Sequence, residues 1–475
     1  MTHPIRKLLP LFCSLLLAAP AYAGKKNTPT PPPPEGYRNI AAELIGKAMV
    51  SDTAYDRLVE LCDGIGHRLS GSSTLDEAIN WAEKTMRNDG LDTRKEPVMV
   101  PRWVRGKESL RMTAPRPQEL ELLTLGMSVG TPAEGIETSV VVVDSFEHLD
   151  RLGKEVAGQI VLYDVPFTTY YENVQYRTKG PSRAAAHGAV AVLVRSVTPS
   201  SLSTPHTGTL KYTAGVQQIP AAAITIEAAT QIRRLNENGQ NVHLKLTLGA
   251  KMDGDVESAN VIGEVRGTKY PEEVVVLACH LDSWDVGTGA QDDGAGCVAA
   301  MEATRLIAQS SRKPKRTVRA VLFTNEENGL GGGKAYAEQH ANSLVKHKGM
   351  IEMDTGSGQP LGFRVDARPK GSEEEVAAEK ERILNALQPL IPLFESTGAT
   401  QWFHSYGGAD IGPSVDQGVL GFGVHQDTTN YWPIHHTVAD TVDKVDKNLL
   451  NKNVAAMAVL AYILADWDEA PVVTR

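Results

Sequence analysis

The chain has 475 residues, of which 41% are hydrophobic and 22% charged, and its 48 Lys and Arg against 57 Asp and Glu give a formal net charge of −9. That length accommodates more than one domain, and the balance is that of an ordinary globular protein, which excludes a wholly disordered or fibrous chain. The acidic excess argues against nucleic acid or any other polyanionic partner.

At the N-terminus, Arg6 and Lys7 precede an apolar run over 8–20, and Ala21-Tyr22-Ala23 offers a small-residue cleavage site. This pattern predicts an export signal over 1–23 and a periplasmic or extracellular destination. The run is too short for a membrane span, and no later segment is expected to reach that length. Removing the signal takes away Arg6 and Lys7 and moves the charge to −11. It also removes Cys13, leaving Cys62, Cys279 and Cys297. An odd number in an exported chain fits buried free thiols better than a disulfide framework. Residues 24–36, which include TPTPPPPEG, favour an extended, solvated spacer.

From Tyr37 to Leu91 the periodicity is mostly helical, with a polar break over 64–73 in which His67 and Arg68 read as loop residues. Residues 37–113 form the first part of the main domain. Over 114–252 the texture changes to short β-branched runs at 140–143, 160–165, 190–194 and 223–226, with modest helices between them. These predict a β-rich inserted domain. From 253 to 475, strand, polar loop and helix repeat, with helices expected over 295–309, 334–346 and 449–463. Such alternation predicts an α/β domain whose mostly parallel central sheet is covered by helices on both faces, with its site at the carboxyl ends of the strands.

The chemistry gathers at those strand ends. The run VVVLACHLDSWDVGTGAQDDGAG over 274–296 is a β-branched stretch that stops at His280-Leu281-Asp282, followed by Asp292-Asp293 in a glycine-rich loop. A strand end fixes side-chain direction while the loop lets oxygen and nitrogen donors turn toward one point. Alternation puts His280 and Asp282 on one face, so the Asp282 carboxylate is expected to hold the imidazole's tautomer and orientation rather than bind metal. A second strand, 317–324, runs into Asn325-Glu326-Glu327, where adjacent carboxylates point apart and one can bind metal while the other acts as a base. A third, 349–353, ends at Asp354, and the loop sequence IHHTVADT supplies His435 and His436. Each piece alone has an ordinary reading as a cap, a solvated acid pair or surface histidines. Together they meet the needs of a two-metal hydrolytic centre. GLGGGKAY after Glu327 lacks the spacing of a phosphate loop and is expected to turn the chain.

The blocks HLDSWDVGTGAQDDGAG, LFTNEENGLGG, MDTGSG, YGGADIGPSVDQGVLG and IHHTVADT, in that order, resemble the M28 family of zinc peptidases. The segment CDGIGHRLSGSSTLDEAINWAEKTMRNDGL resembles the family's opening helices. The resemblance implies two Zn2+ ions per chain, one held by His280, Asp292 and Asp354 and the other by Asp292, Glu327 and His436, with Asp292 bridging. His436 is preferred to His435 because Thr437 follows it directly and Asp440-Thr441 lies shortly beyond. The resemblance also implies a cis peptide between Asp292 and Asp293, Glu326 as general base and then acid, and a homodimer. It further implies a protease-associated type of insert over 114–252 that acts as a lid or docking surface, with a purely structural module as the other reading. The implied activity is hydrolysis of di- or oligopeptides next to a free terminus by a metal-activated water, of aminopeptidase, dipeptidase or carboxypeptidase type. A non-catalytic binding module on the same scaffold and a zinc acyl transferase of the glutaminyl cyclase type are the alternatives. His404, Ser405 and Tyr406 are candidates for contacting substrate, against a plain loop role.

Overall fold

The computed structural model describes residues 35–474, so the export signal and nearly all of the proline-rich spacer lie outside the described residues. The first helix, Glu35–Met49, begins where the spacer was expected to end, and Thr53–Val59 and Ser73–Asn88 complete the helical opening.

The main domain is built on an eight-stranded sheet in the order Asp92–Val104, Lys251–Val265, Arg316–Phe323, Tyr270–His280, His347–Glu352, Gly421–Gln426, Pro360–Asp366 and Gln401–His404. Its centre is parallel, from Arg316–Phe323 to Gly421–Gln426. Both flanks turn antiparallel, at Lys251–Val265 and at Pro360–Asp366, so the sheet is mixed, with four of its seven pairings parallel. The connection over 353–359 is too short for a helical crossover, so Pro360–Asp366 runs opposite to His347–Glu352, from which Gly421–Gln426 separates it.

Strand Tyr270–His280 shows why the centre is a continuous apolar run. Val275, Leu277 and Cys279 pack into the core shared with helices Ala295–Ala308 and Lys447–Asp466, while Val274, Val276 and Ala278 pack with Tyr336, Ile411 and Val415 on the other face. Burying each such side chain is worth roughly 1.5–3 kcal/mol, so the strand end that carries His280 is firmly anchored.

Helix Lys447–Asp466 starts at Asp446, whose carboxylate accepts the amides of Asn448 and Leu449. With a mean hydropathy of 1.3 it is long and apolar enough to cross a membrane, contrary to the expectation that no later segment would be. Its residues are buried against the sheet and the first helix, which marks it as a core helix. The helix expected over 334–346 is instead Gly331–Gln339 followed by a short 3-10 turn, Leu344–Lys346. The Ser343 hydroxyl donates to the carbonyl of His340, giving the backbone a non-helical partner at that break.

The inserted region forms a second eight-stranded sheet that runs from Glu108–Ala114 to His243–Leu248. Its middle strands, Ile136–Val143, Ile160–Tyr163, Ala191–Arg195 and Ala221–Ile224, are parallel; the first three are connected through helices Phe146–Leu152, Tyr170–Thr178 and Gly180–Ala186, and the last two through an irregular segment over 196–220. The short β-branched runs are therefore parallel strands of a second α/β layer, with packed cores on both faces.

Candidate metal centre

His280 ends its strand with its imidazole buried, and Asp292 reaches it from the following turn. The Asp292-Asp293 peptide is cis, at the position the sequence resemblance indicated. Asp293 points away from the cleft, and its carboxylate accepts the amides of His280 at 3.2 Å and Gly296 at 3.0 Å. It thereby ties the strand end to the start of helix Ala295–Ala308. Asp440 accepts the amides of Gln291 at 2.7 Å and Asp292 at 3.1 Å, which holds the turn from the other side.

Five side chains from four separate strand-end segments then meet. The Nε2 of His280 lies 3.2 Å from Asp292 Oδ1 and 3.1 Å from Asp354 Oδ1. The Nε2 of His436 lies 3.1 Å from Asp292 Oδ2 and 3.2 Å from Glu327 Oε2. Asp292 thus stands between two sets, His280 with Asp354 and His436 with Glu327. His435 approaches only as far as 3.6 Å from Asp292, and its ring stacks on that of His436 with centroids 3.5 Å apart.

Asp282 departs from the expected arrangement. The Nδ1 of His280 donates to the backbone carbonyl of Asp282 at 2.9 Å, while the Asp282 carboxylate stands 4.0 Å away. That carboxylate instead accepts the amides of Glu326 at 3.1 Å and Glu327 at 3.3 Å. Leu281 gives its amide to Phe323, so the chain is still paired at that point and turns the Asp282 side chain toward the neighbouring strand's loop. Asp282 consequently positions the acid pair, and its backbone orients the histidine.

The charges favour a cation. Burial works against the His280 and His436 imidazolium forms, but Asp354 and Asp292 around the first and Glu327 and Asp292 around the second raise both well above the usual histidine range. Burial would push Asp292 up, yet the imidazoles of His280 and His436 beside it hold it well below the usual carboxylate range. Burial, reinforced by Asp354 and Glu327 against the pull of His280, pushes Glu326 well up. Asp292 Oδ2 and Glu327 Oε1 are buried without a hydrogen-bond donor, which is costly unless a cation satisfies them. Imidazole nitrogens and carboxylate oxygens are the donors that suit zinc.

Other residues support the centre without a sequence signature. Arg68, expected to be plain loop, is buried and donates to the carbonyls of Leu281 at 2.7 Å, Thr288 at 2.7 Å and Gly289 at 2.9 Å. From the inserted region, the Thr207 carbonyl accepts from Nδ1 of His436 at 3.2 Å. Glu352 accepts the amides of Ala409 at 2.7 Å and Ile411 at 2.9 Å, fixing the loop in which Tyr406 lies. Of the three substrate-contact candidates, Tyr406 lines the cleft, whereas the ring nitrogens of His404 face the carbonyls of Val365 and Lys380. Ser405 lines a separate depression. Cys62, Cys279 and Cys297 are free and buried, and burial pushes Cys62 up to about 11 and Cys279 well above its ordinary value, which leaves neither as a nucleophile.

The cleft above these groups has a volume of about 440 Å3 and is closed on one side by Tyr170 and Arg177 of the inserted region. A parallel strand core whose carboxyl ends bring imidazoles and carboxylates into one cleft, with a further carboxylate beside them, defines a metallohydrolase type of centre. Residues 260–461 match the description Peptidase family M28. Carboxypeptidase Q of Mus musculus is 40% identical over an alignment covering 91% of this chain and 90% of its own length. For carboxypeptidase Q of Homo sapiens the identity is 40%, with 90% and 88% covered. The crystal structure of a peptidase M28 precursor from Shewanella amazonensis superposes with a TM-score of 0.85 at 34% identity, covering 92% of this chain and 99% of that one. The chain belongs to peptidase family M28, and it is a peptidase.

Proposed function

We propose that this chain is an exported exopeptidase that uses two zinc ions to hydrolyse di- or oligopeptides next to a free terminus. The observation that carries the reading is the position of Asp292, whose two oxygens face His280 and His436 at 3.2 and 3.1 Å. His280, Asp292 and Asp354 would hold one ion, and Asp292, Glu327 and His436 the other. When bound, the zinc ions would lower the pKa of a water toward about 7 and polarise the scissile carbonyl.

Glu326 lines the cleft beside these groups, held by its amide to Asp282. Its raised pKa suits a base that takes a proton from the attacking water and returns it to the leaving amine. His280 presents Nε2 because its Nδ1 is committed to the Asp282 carbonyl, and His436 does so because its Nδ1 is committed to Thr207. The complete donor set and Glu326 argue against a non-catalytic module on this scaffold. The relatives named carboxypeptidase Q support a peptide substrate, and Tyr170 and Arg177 of the inserted region line the cleft. The N-terminal signal pattern supports export.

The test is release of amino acid from unblocked dipeptides by the purified full chain. Activity abolished by a chelator and restored by zinc supports the reading. Activity that is indifferent to chelation, or absent from zinc-loaded protein, contradicts it.

A further inference from the structure

Three donors that the candidate zinc centre leaves unused meet against the strand end that carries His280. The Sγ atoms of Cys279 and Cys297 and a carboxylate oxygen of Asp293 lie within 4.8 Å of one another, and all three residues are fully buried. Cys279 stands one residue before His280 in strand Tyr270–His280, Cys297 lies in the first turn of helix Ala295–Ala308, and Asp293 comes from the turn that precedes that helix. The third free thiol, Cys62, lies outside this group, with its sulfur 4.0 Å from the Gly289 carbonyl.

These groups are short of partners. Cys279 Sγ donates to the Val321 carbonyl at a long 3.9 Å, and Cys297 Sγ donates to the His280 carbonyl at 3.0 Å. Asp293 accepts only the amides of His280 and Gly296, and among the described residues no Lys, Arg or His side chain stands within ion-pair distance of it. A carboxyl in such a place keeps its proton or takes a cation. The chain is shaped to seat it there, because a Cβ at Gly296 would collide with both Asp293 oxygens and with the Met353 carbonyl.

The donor set identifies the cation. Two sulfurs select a soft ion, and thiolate–metal bonds of about 2.3 Å let one ion placed between sulfurs no more than 4.8 Å apart reach both. Zinc in a closed site takes a full tetrahedron of ligands, which one carboxylate and two thiolates do not complete. A soft monovalent ion of the copper(I) type is satisfied by a lower coordination number. We propose that Cys279, Cys297 and Asp293 form a separate cation site for one thiophilic monovalent ion. On binding, each thiol gives its proton to solvent and its sulfur lone pair to the ion. Cys297 then has no proton to donate to the His280 carbonyl, so the strand end loses one of its ties. Resting on the peptidase reading, hydrolysis slows while the centre keeps its metal.

The probe is Ag+, which stands in for monovalent copper without a redox step, added to the zinc-loaded full chain in chloride-free buffer. Native mass spectrometry should show one silver ion gained per chain with no zinc lost, and a sulfur-to-metal charge-transfer band should grow in the ultraviolet up to one equivalent. Cys279→Ala and Cys297→Ala should each weaken silver binding by more than the roughly 10–100-fold that losing an outer partner costs a metal site. Cys62→Ala should leave the band in place. No band at one equivalent, a band that survives both substitutions, or its loss in Cys62→Ala instead would each overturn the proposal. If a variant does not fold, anomalous diffraction from silver-soaked wild-type crystals decides. A peak between Cys279 and Cys297 upholds the site, and silver found only at Cys62 or at the histidines refutes it. Hydrolysis of alanyl-leucine should fall by roughly ten-fold or more as the band saturates. A band that depends on both cysteines in a protein that cleaves no peptide would uphold the site while refuting the peptidase. A saturated band with an unchanged rate would refute the link to His280 alone.

Discussion

The backbone carbonyl of Thr207 accepts a hydrogen bond from Nδ1 of His436 at 3.2 Å, and the Thr207 amide donates in return to the His436 carbonyl at 3.1 Å. With Nδ1 committed, Nε2 turns its lone pair to Asp292 and Glu327, so the inserted region fixes the tautomer of a candidate ligand. The two sheets therefore build one site.

Gly208 is the point at which this arrangement is most easily disturbed. Gly208→Ala places a side chain against the Arg177 guanidinium at a backbone angle that alanine rarely adopts. Stability should fall by about 1 kcal/mol or more, and kcat/KM for a dipeptide by roughly ten-fold or more. Thermal melts and steady-state kinetics check both, and an unchanged variant would show that the close approach of Gly208 to Arg177 is dispensable.

Glu326→Gln should retain its metal while turnover falls by roughly 10²–10⁴-fold, the usual contribution of a positioned base. Metal content by mass spectrometry, measured beside initial rates, decides the matter. Loss of metal in parallel with activity would assign Glu326 to the ligand set instead.

Arg68→Met leaves the carbonyls of Leu281, Thr288 and Gly289 without their buried donor. Each unsatisfied group costs roughly 1–3 kcal/mol, so the variant should lose about 3 kcal/mol or more of stability. Urea denaturation measures it, and a shift of under about 1 kcal/mol would mean that water replaces the guanidinium.

The contrast between His280 and Arg68 explains what the sequence could reveal. His280, Asp354 and Glu327 each come at or just after the end of an apolar strand, and a strand buried on both faces delivers its next residue to one edge of the sheet. Their convergence was therefore legible. Arg68, Thr207 and Arg177 act through contacts with distant backbone carbonyls, which carry no residue identity, so no spacing points to them. Asp282 was found for a partly mistaken reason. Strand alternation placed it beside His280, but its carboxylate is drawn to the free amides of Glu326 and Glu327 across the sheet. The insert's strands were visible as β-branched runs with modest helices between them, while their parallel pairing is set by backbone contacts between segments distant in sequence.

A buried chain of hydrogen bonds gives a pH dependence away from the centre. Arg319 donates to the Tyr336 hydroxyl at 2.7 Å, Tyr336 to Nε2 of His347 at 2.8 Å, and Nδ1 of His347 to the Ser343 carbonyl at 3.2 Å. Burial, reinforced by Arg319 and His340 against Glu96, lowers His347 from 6.5 to about 4. Between those values the unfolded chain binds the proton and the folded one does not. Stability is therefore complete above pH 6.5 and declines as pH falls toward 4, by at most about 3 kcal/mol. His347→Gln should flatten that decline in urea titrations at pH 7.5 and 5, and an identical decline would place its origin elsewhere.

Anomalous diffraction at the zinc edge, on crystals of the zinc-loaded full chain, reaches the central claim most directly. Two peaks per chain are predicted, both in contact with Asp292, one also touching His280 and Asp354 and the other Glu327 and His436. A single peak, or peaks on another set of side chains, would contradict the account.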